Sequence, residues 1–573
     1  MIRNFFILSL DFNNKNFKKE IFEYGNSMPL KIFKDTNEEF LIIGHPSTNK
    51  IIDIERFFVE LKKNNFSKKF IKSIDGEFLI IKISYKKKDI VICNSRFASP
   101  PLYYYFVDRF LIISNNFFKI ASYLKKNSKF MLDQNSLWHF FKFRRIFGSG
   151  TLDKNTKYLK PAHIFKVNKS SVSFERYWNP DYKKNHLNLK ENAKILSDSI
   201  EQSWNYLLSD KEKPAMFLSG GLDTRTFIAH CPKKLKCINL TYELNRESEA
   251  ARKSCNITNH QYYWEQLRKG IYPKYLEKSS CVNSSMYIMD AIFYGHDEIL
   301  KDSDVIFSGY GIDWFFQGWY LPFKTYNFGK HKLYLKFPKK IKGNLIEFFI
   351  KNFVGISKGF EPEKIVKKNY LGKLNDNLIS SLNNLDSDTK NFTENLYDRY
   401  ESLAFGHISR HYTYGAISAL KEYKEHRLLS FTNDIYDHYF KVPFDQRIEG
   451  RVEKEALKIK NPQLLEIPSG NTGFKIKYGS KMLTLMSGLK FIKQNFRSGL
   501  SNKNERTWLS LNDLIRKEFK KEINELKTTE QLDQVEFLDR NELNKYIDNL
   551  DYNENPGHIL MLLLTFKSFM KNL

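Results

Sequence analysis

Short apolar runs recur through the first third of the chain: FFILSL (5–10), EFLIIG (39–44), EFLIIKISY (77–85), DIVIC (89–93), LYYYF (102–106) and RFLIIS (109–114). Charged and Asn-rich turns separate them, which predicts a sheet-based unit. From about residue 190 the pattern changes. ENAKILSDSIEQSWNYLL (191–208) carries apolar residues at helical spacing. KPAMFL (213–218) then predicts a short strand, LKCINLTY (235–242) a second strand, and SEAARKSC (248–255) a helix. Strand and helix in alternation predict a parallel α/β sheet. After about residue 320 the pattern is largely helical. The polar, Pro-containing segment NPDYKKNHLNLKEN (179–192) lies between the two patterns, so two units are expected, residues 1–185 and 186–573. No repeat of solenoid period is present.

Composition narrows the class. The 573 residues leave room for two to four domains at ~100–200 residues each. With 42% hydrophobic and 15% aromatic residues, the chain is not predominantly disordered. Its 26 Gly and 16 Pro are too few for a collagen-like or low-complexity chain. No run approaches the ~20 apolar residues of a membrane helix. The longest, ILMLLLTF (559–566), predicts a core helix. The first residues, MIRNFFILSLDF, lack a small-residue cleavage site and read as a strand, not a signal peptide.

Five cysteines (Cys93, Cys231, Cys237, Cys255, Cys281) form no CxxC pair and no ligand cluster. They read as reduced core thiols, and a cytoplasmic location is expected. The net charge of +27, from 92 basic and 65 acidic residues, pulls toward nucleic acid or an anionic surface. The excess is mostly Lys, whereas specific phosphate and base contacts favour Arg. A solvated Lys-rich surface is therefore preferred to a nucleic-acid site.

The sharpest local signal is Ser219-Gly220-Gly221-Leu222-Asp223-Thr224, between the strand at 215–218 and a helix starting near Arg225. Two glycines let the backbone approach a ligand, and the loop and helix N–H groups then face an anion. Ser219 and Thr224 add hydroxyl donors. Without a Lys this is not the GxxxxGK[ST] loop. An Asp inside a phosphate cradle makes sense if a divalent cation bridges it to the phosphates. The competing reading is a Gly-rich turn with an Asp cap.

SGGLDT resembles the pyrophosphate loop of the asparagine synthetase family and of related adenylating ligases. Further segments resemble that family in the same order along the chain. Ser308-Gly309-Tyr310-Gly311-Ile312-Asp313 resembles its second motif, SGxGxDE, and Ser248-Glu249-Ala250-Ala251-Arg252 its acidic helix start. Residues 421–440 (KEYKEHRLLSFTNDIYDHYF) resemble its E-x-R-x-P-F-L-D helix end. DGEF (75–78), RFASPPLYYYF (96–106), LIISNNFFKI (111–120), TLDKNTKYLKPAHIFKV (151–167) and RYW (176–178) resemble its N-terminal glutaminase domain. Each motif alone is weak; their order is the stronger signal.

The resemblance implies an α/β chain with two parts. An Ntn-hydrolase-like αββα domain, glutaminase-like and inactive, spans 1–185. An adenine-nucleotide α-hydrolase-like synthetase domain (PP-loop, Rossmann-like) with a helical C-terminal part spans 186–573. It implies ATP and Mg²⁺ as cofactors, with Ser219, Gly220, Gly221, Leu222, Asp223, Thr224, Ser308, Gly309 and Gly311 on the nucleotide and Asp223 and Asp313 on the metal.

The departures from the family are informative. The family's glutaminase uses an N-terminal Cys, whereas here Met1-Ile2-Arg3 opens the chain and the nearest Cys is Cys93. No glutamine hydrolysis is expected. The glutamine-binding Asn-Gly-Glu stretch has only Asn37-Glu38-Glu39 as an echo. A catalytic Glu of the asparagine-forming members is Tyr310 here, as in members that close β-lactam rings. The resemblance pairs it with Glu425, since a phenol of pKa near 10 needs a carboxylate partner to act as a base. Trp314 follows Asp313 where the family has Glu. Glu249 reads as a substrate or metal contact or as a helix-start charge, and His260 as a structural His. The family's C-terminal Lys maps near Gly470 in NPQLLEIPSGNTGFKIKYG (461–479), which leaves Lys475 or Lys477 to replace it.

The expected activity is ATP-dependent amide-bond formation through an acyl-adenylate, releasing AMP and pyrophosphate. The partners would be a carboxylic acid and an amine or ammonia. A separate glutaminase and a homodimer are both compatible with the sequence. The alternatives are a tRNA-modifying enzyme with the same loop, disfavoured by the ~210 residues ahead of it, and a non-catalytic relative.

Overall fold

The computed structural model describes residues 2–13, 17–283, 290–328, 331–353, 361–496, 510–552 and 555–573. It is a mixed α/β structure with several sheets and many helices.

Among the described residues up to 176 there are eleven strands: β1 (Phe6–Asp11), β2 (Lys19–Tyr24), β3 (Leu30–Lys34), β4 (Glu38–Gly44), β5 (Phe78–Ser84), β6 (Asp89–Asn94), β7 (Tyr103–Val107), β8 (Phe110–Ser114), β9 (Thr156–Tyr158), β10 (His163–Asn168) and β11 (Val172–Arg176). They form two antiparallel sheets, ordered β2-β1-β8-β7-β9 and β11-β10-β6-β5-β4-β3. The side-chain period of two explains the stacking. Leu8, Leu10, Leu41, Ile43, Leu79 and Ile81 share one core between the sheets, whereas Ile7, Phe40, Ile42 and Ile80 belong to the core on the outer faces. Burial on both faces is why these strands read as continuous apolar runs and not as alternating ones.

Helices cover the outer faces. From Ile54–Lys63, Phe58 stacks on Phe33 at 3.9 Å and meets Phe40 edge-on at 5.3 Å. From Phe117–Lys126, Phe117 lies 5.8 Å from Tyr103 on the other sheet. The layers run helix, sheet, sheet, helix. Residues 177–188 carry no regular element. Asn188 then caps the helix Leu189–Leu207 in a reciprocal capping box with Glu191.

The third sheet is wholly parallel: β12 (Pro214–Phe217), β13 (Lys236–Thr241), β14 (Gln261–Gln266) and β15 (Val305–Ser308). A hairpin, β16 (Phe323–Phe328) with β17 (His331–Pro338), precedes the short fifth strand of that sheet, β18 (His426–Arg427). The hairpin and β18 interrupt the helical pattern expected after residue 320. The sheet order is β14-β13-β12-β15-β18. The chain starts at the centre, winds to one edge, then crosses to the other. Strand order therefore reverses between β12 and β15, which opens a crevice beyond their carboxyl ends.

The antiparallel and parallel parts meet along a polar seam. Buried Glu77 pairs with Lys421 at 2.8 Å, Arg96 with Asp437 at 2.8 Å, and Glu422 accepts the backbone N–H groups of Arg3 and Asn4, each at 2.9 Å. The helix Pro556–Asn572, which holds the ILMLLLTF run, is buried and stacks Phe569 on Phe117 at 5.8 Å. Among the described residues no helix is long and apolar enough to cross a membrane.

Candidate nucleotide cleft

A cleft of about 380 Å³ opens where the strand order reverses. Its lining includes Ser219, Gly220, Gly221, Asp223, Thr224, Glu247, Ser308, Gly309, Tyr310, Asp313, Gly470 and Asn471. The two Gly-bearing loops thus face one space, as neighbouring parallel strands require.

The first loop joins β12 to the helix Leu222–His230, whose N-cap, Gly221, supplies no side-chain cap, so its first N–H groups stay available. Within the loop, Thr224 Oγ1 donates to the Ser219 carbonyl at 2.9 Å, and the Ser219 and Thr224 hydroxyls lie 3.2 Å apart. Buried Arg225 ties the loop to the segment beneath it: it donates to the Gly220 carbonyl at 2.9 Å and to the Ile467 and Pro468 carbonyls at 2.8 and 2.7 Å. A Cβ at Gly220 would lie 3.0 Å from the Glu247 carbonyl oxygen. In the second loop Gly311 has φ +97°, and its missing side chain leaves room for the Ser430 hydroxyl, which donates to the Tyr310 carbonyl at 2.7 Å.

Acidic groups gather at the cleft floor. The Gln317 amide donates to Asp223 and, at 2.9 Å, to Glu453. Thr226 Oγ1 donates to the other Glu453 oxygen at 3.1 Å. Burial, then the Glu453 and Asp313 charges, hold the Asp223 carboxyl well above the usual range. Burial pushes Asp313 up to about 7, and it does the same to Glu453. Neither Asp223 nor Asp313 forms an ion pair among the described residues. Crowded, unneutralised carboxylates of this kind suit a divalent cation. Among the described residues no three His, Cys, Asp or Glu side chains converge as a complete ligand set. One or two carboxylates in this setting could hold a hard divalent cation only with other ligands beside them.

Other expected residues lie elsewhere. Glu425 does not meet Tyr310. Its carboxylate is held by Arg427 at 2.5 Å and Lys211 at 2.9 Å, and its carbonyl accepts the Ile306 N–H. It sits just before β18, at the amino end of the parallel sheet, whereas Tyr310 follows the carboxyl end of β15. The four residues of β15, roughly 13 Å of strand, and the turn after it separate those levels. The expected dyad is thus corrected: parallel pairing puts the two side chains at opposite ends of the sheet. Burial, then Asp313 and Asp290, push the Tyr310 phenol up, so near neutral pH it stays protonated.

Lys475 and Lys477 both pair with exposed Glu466, at 2.9 and 2.8 Å, and neither lines the cleft. Gly470 and Asn471 represent that segment there. Glu249 pairs with Lys253 at 2.6 Å on the exposed helix face, while Glu247, two residues earlier, lines the cleft. His260 is structural: its Nε2 lies 2.9 Å from the Ile228 carbonyl and its Nδ1 accepts the Leu235 N–H. Cys93 is buried in β6 with its thiol pushed up by burial, and Met1 lies outside the described residues.

Glu453 and Gln317 were not singled out in the sequence. Glu453 had a readable signal: it shares the buried face of the helix Arg451–Lys460 with Val452, Ala456 and Leu457. A carboxylate on an apolar helix face calls for a reason. Gln317 follows the second loop and had none.

No family model and no curated protein sequence matches the chain. Among solved structures, it is similar to glutamine phosphoribosylpyrophosphate amidotransferase from B. subtilis complexed with ADP and GMP, at 8% identity and TM-score 0.18 over 48% of this chain and 64% of that one. A structure described as the allosteric regulatory enzyme of purine biosynthesis matches at 9% identity and TM-score 0.19, over 46% of this chain and 59% of that one. The chain therefore spans less than two thirds of the length of either. Likeness at these scores carries no argument about function.

Proposed function

We propose that the chain is an ATP-dependent amide-forming ligase resembling the asparagine synthetase family, with a glutaminase-like first part (1–185) that lacks glutaminase activity and a PP-loop synthetase part (186–573). One observation carries the reading: the loops at 219–224 and 309–313 nest at the strand-order reversal, with Asp223 and Asp313 on the floor of the same cleft. In this reading the N–H groups of Gly220, Gly221 and the helix start bind the outer phosphates, with Ser219, Thr224 and Ser308 as hydroxyl donors. Asp223 and Asp313 would hold Mg²⁺, which would supply charge neutralisation for the leaving pyrophosphate. The substrate carboxylate attacks the α-phosphorus, pyrophosphate leaves, and an amine then displaces AMP from the acyl group.

Tyr310, protonated and beside Phe293 at 6.3 Å, serves as a wall and hydrogen-bond donor and not as the base. The amine's proton therefore goes to an acceptor other than a Tyr310–Glu425 pair.

A second reading is a nucleotide-binding relative without ligase activity. It is favoured by the cleft lining, which among the described residues contains no Lys or Arg to stabilise the adenylation step. Pyrophosphate exchange into ATP, run over a panel of carboxylic acids, separates the two. The ligase reading expects acid-dependent exchange, whereas ATP·Mg²⁺ binding without exchange for any acid supports the second reading.

A further inference from the structure

A second cavity, of about 440 Å³, lies between the end of β11, the stretch after it, and the helices Lys368–Lys390, Leu396–Phe405 and Asn433–Lys441. It shares no lining residue with the nucleotide cleft. Much of its wall is aromatic, including Trp178, Phe392, Tyr436 and Phe440, with Trp178 stacked on Tyr436 at 5.6 Å.

Three cationic side chains also line it, and two are neutralised: Arg96 by Asp437 at 2.8 Å and Lys160 by Asp388 at 2.7 Å. The third is Arg176. Its Nε donates to the Trp178 carbonyl at 3.0 Å and its guanidinium lies 4.9 Å from the Phe392 ring. Its two terminal amino groups make no hydrogen bond or ion pair among the described residues.

A guanidinium with unused parallel donors binds a carboxylate or phosphate bidentately. Flat aromatic walls favour a flat apolar body beside it. We propose that this cavity is a small-molecule site, separate from the nucleotide cleft, for an organic anion with a flat apolar body, its anionic oxygens held by Arg176.

Calorimetric titration of the full-length chain with 2-naphthoate, 2-naphthyl phosphate and neutral 2-naphthamide tests it. At least one anion should bind about tenfold or more tightly than the amide, as expected for a charge-assisted pair. The tighter anion identifies the headgroup. Arg176→Gln should abolish that preference while leaving the amide affinity unchanged, and Arg176→Lys should retain part of it. Equal affinity for amide and anions, no anion binding at millimolar concentration, or an undiminished preference in Arg176→Gln would overturn the proposal. Should the Gln variant fail to fold, the comparison of the three probes on the unaltered chain still decides.

Discussion

Gly309 packs against Thr224 so closely that a Cβ on it would lie 2.7 Å from Thr224 Cγ2 and 3.5 Å from Asp223 Cβ. This contact between loops of adjacent strands brings the hydroxyls of Ser219 and Ser308 and the carboxylates of Asp223 and Asp313 to one space. Gly309→Ala should force the loops apart. Overpacking of this kind costs about 1–3 kcal/mol of stability, and the displaced donors should weaken ATP·Mg²⁺ binding by roughly tenfold or more, about the loss of one charge-assisted hydrogen bond. Calorimetric titration beside a thermal melt checks both effects. Unchanged nucleotide affinity would separate the second loop from the nucleotide.

Glu425 is a structural anion in this account. With Asp210 it holds buried Arg427, whose guanidinium also donates to the Leu207 carbonyl. Glu425→Gln should lower the unfolding midpoint and leave pyrophosphate exchange within about twofold of the unaltered protein, because substitutions remote from the reacting atoms leave the chemical step alone. Preserved stability with lost exchange would restore Glu425 to the chemistry.

His139 supplies a pH dependence with a definite sign. It is buried, both ring nitrogens lack a hydrogen-bond partner among the described residues, and burial pushes its pKa down from 6.5 to about 4. Between those values the unfolded chain takes up a proton that the folded chain refuses. The His139 contribution is fully present above pH 6.5 and is lost progressively as pH falls toward about 4. His139→Phe removes both the proton and the unpartnered nitrogens, beside Phe147 at 6.2 Å. The variant should be at least as stable at neutral pH, and its advantage should grow from pH 6.5 down to 4, as read by denaturant midpoints across that range. An advantage that shrinks on acidification would contradict the assignment.

Much of this architecture was legible in the chain because burial on two faces writes itself as runs. FFILSL, EFLIIG, EFLIIKISY, DIVIC, LYYYF and RFLIIS all contribute strands of the two stacked sheets. ILMLLLTF forms a buried helix. SGGLDT and SGYGID were legible as turns because glycine leaves a local mark, and the strand-loop-helix context is local too. What stayed hidden depends on pairing across distance. Nothing near Glu425 says at which end of a parallel strand it falls, and the two-residue strand β18 is too short for any periodicity. Glu249 read either as a ligand contact or as a helix-start charge, and the helix rotation leaves it the second role while Glu247 lines the cleft. The distance from Glu466 to Lys475 and Lys477 is set by an irregular loop and left no periodic trace.

The central claim is that Asp223 and the glycine loop around it serve ATP during activation of a carboxylic acid. Acid-dependent exchange of labelled pyrophosphate into ATP, measured for the unaltered protein and for Asp223→Ala of matched thermal stability, tests it most directly. The account predicts exchange with at least one acid of the panel and a fall of about 100-fold or more in the variant, the scale of losing one preorganised electrostatic contact to a transition state. Exchange of equal rate in the two proteins would contradict it.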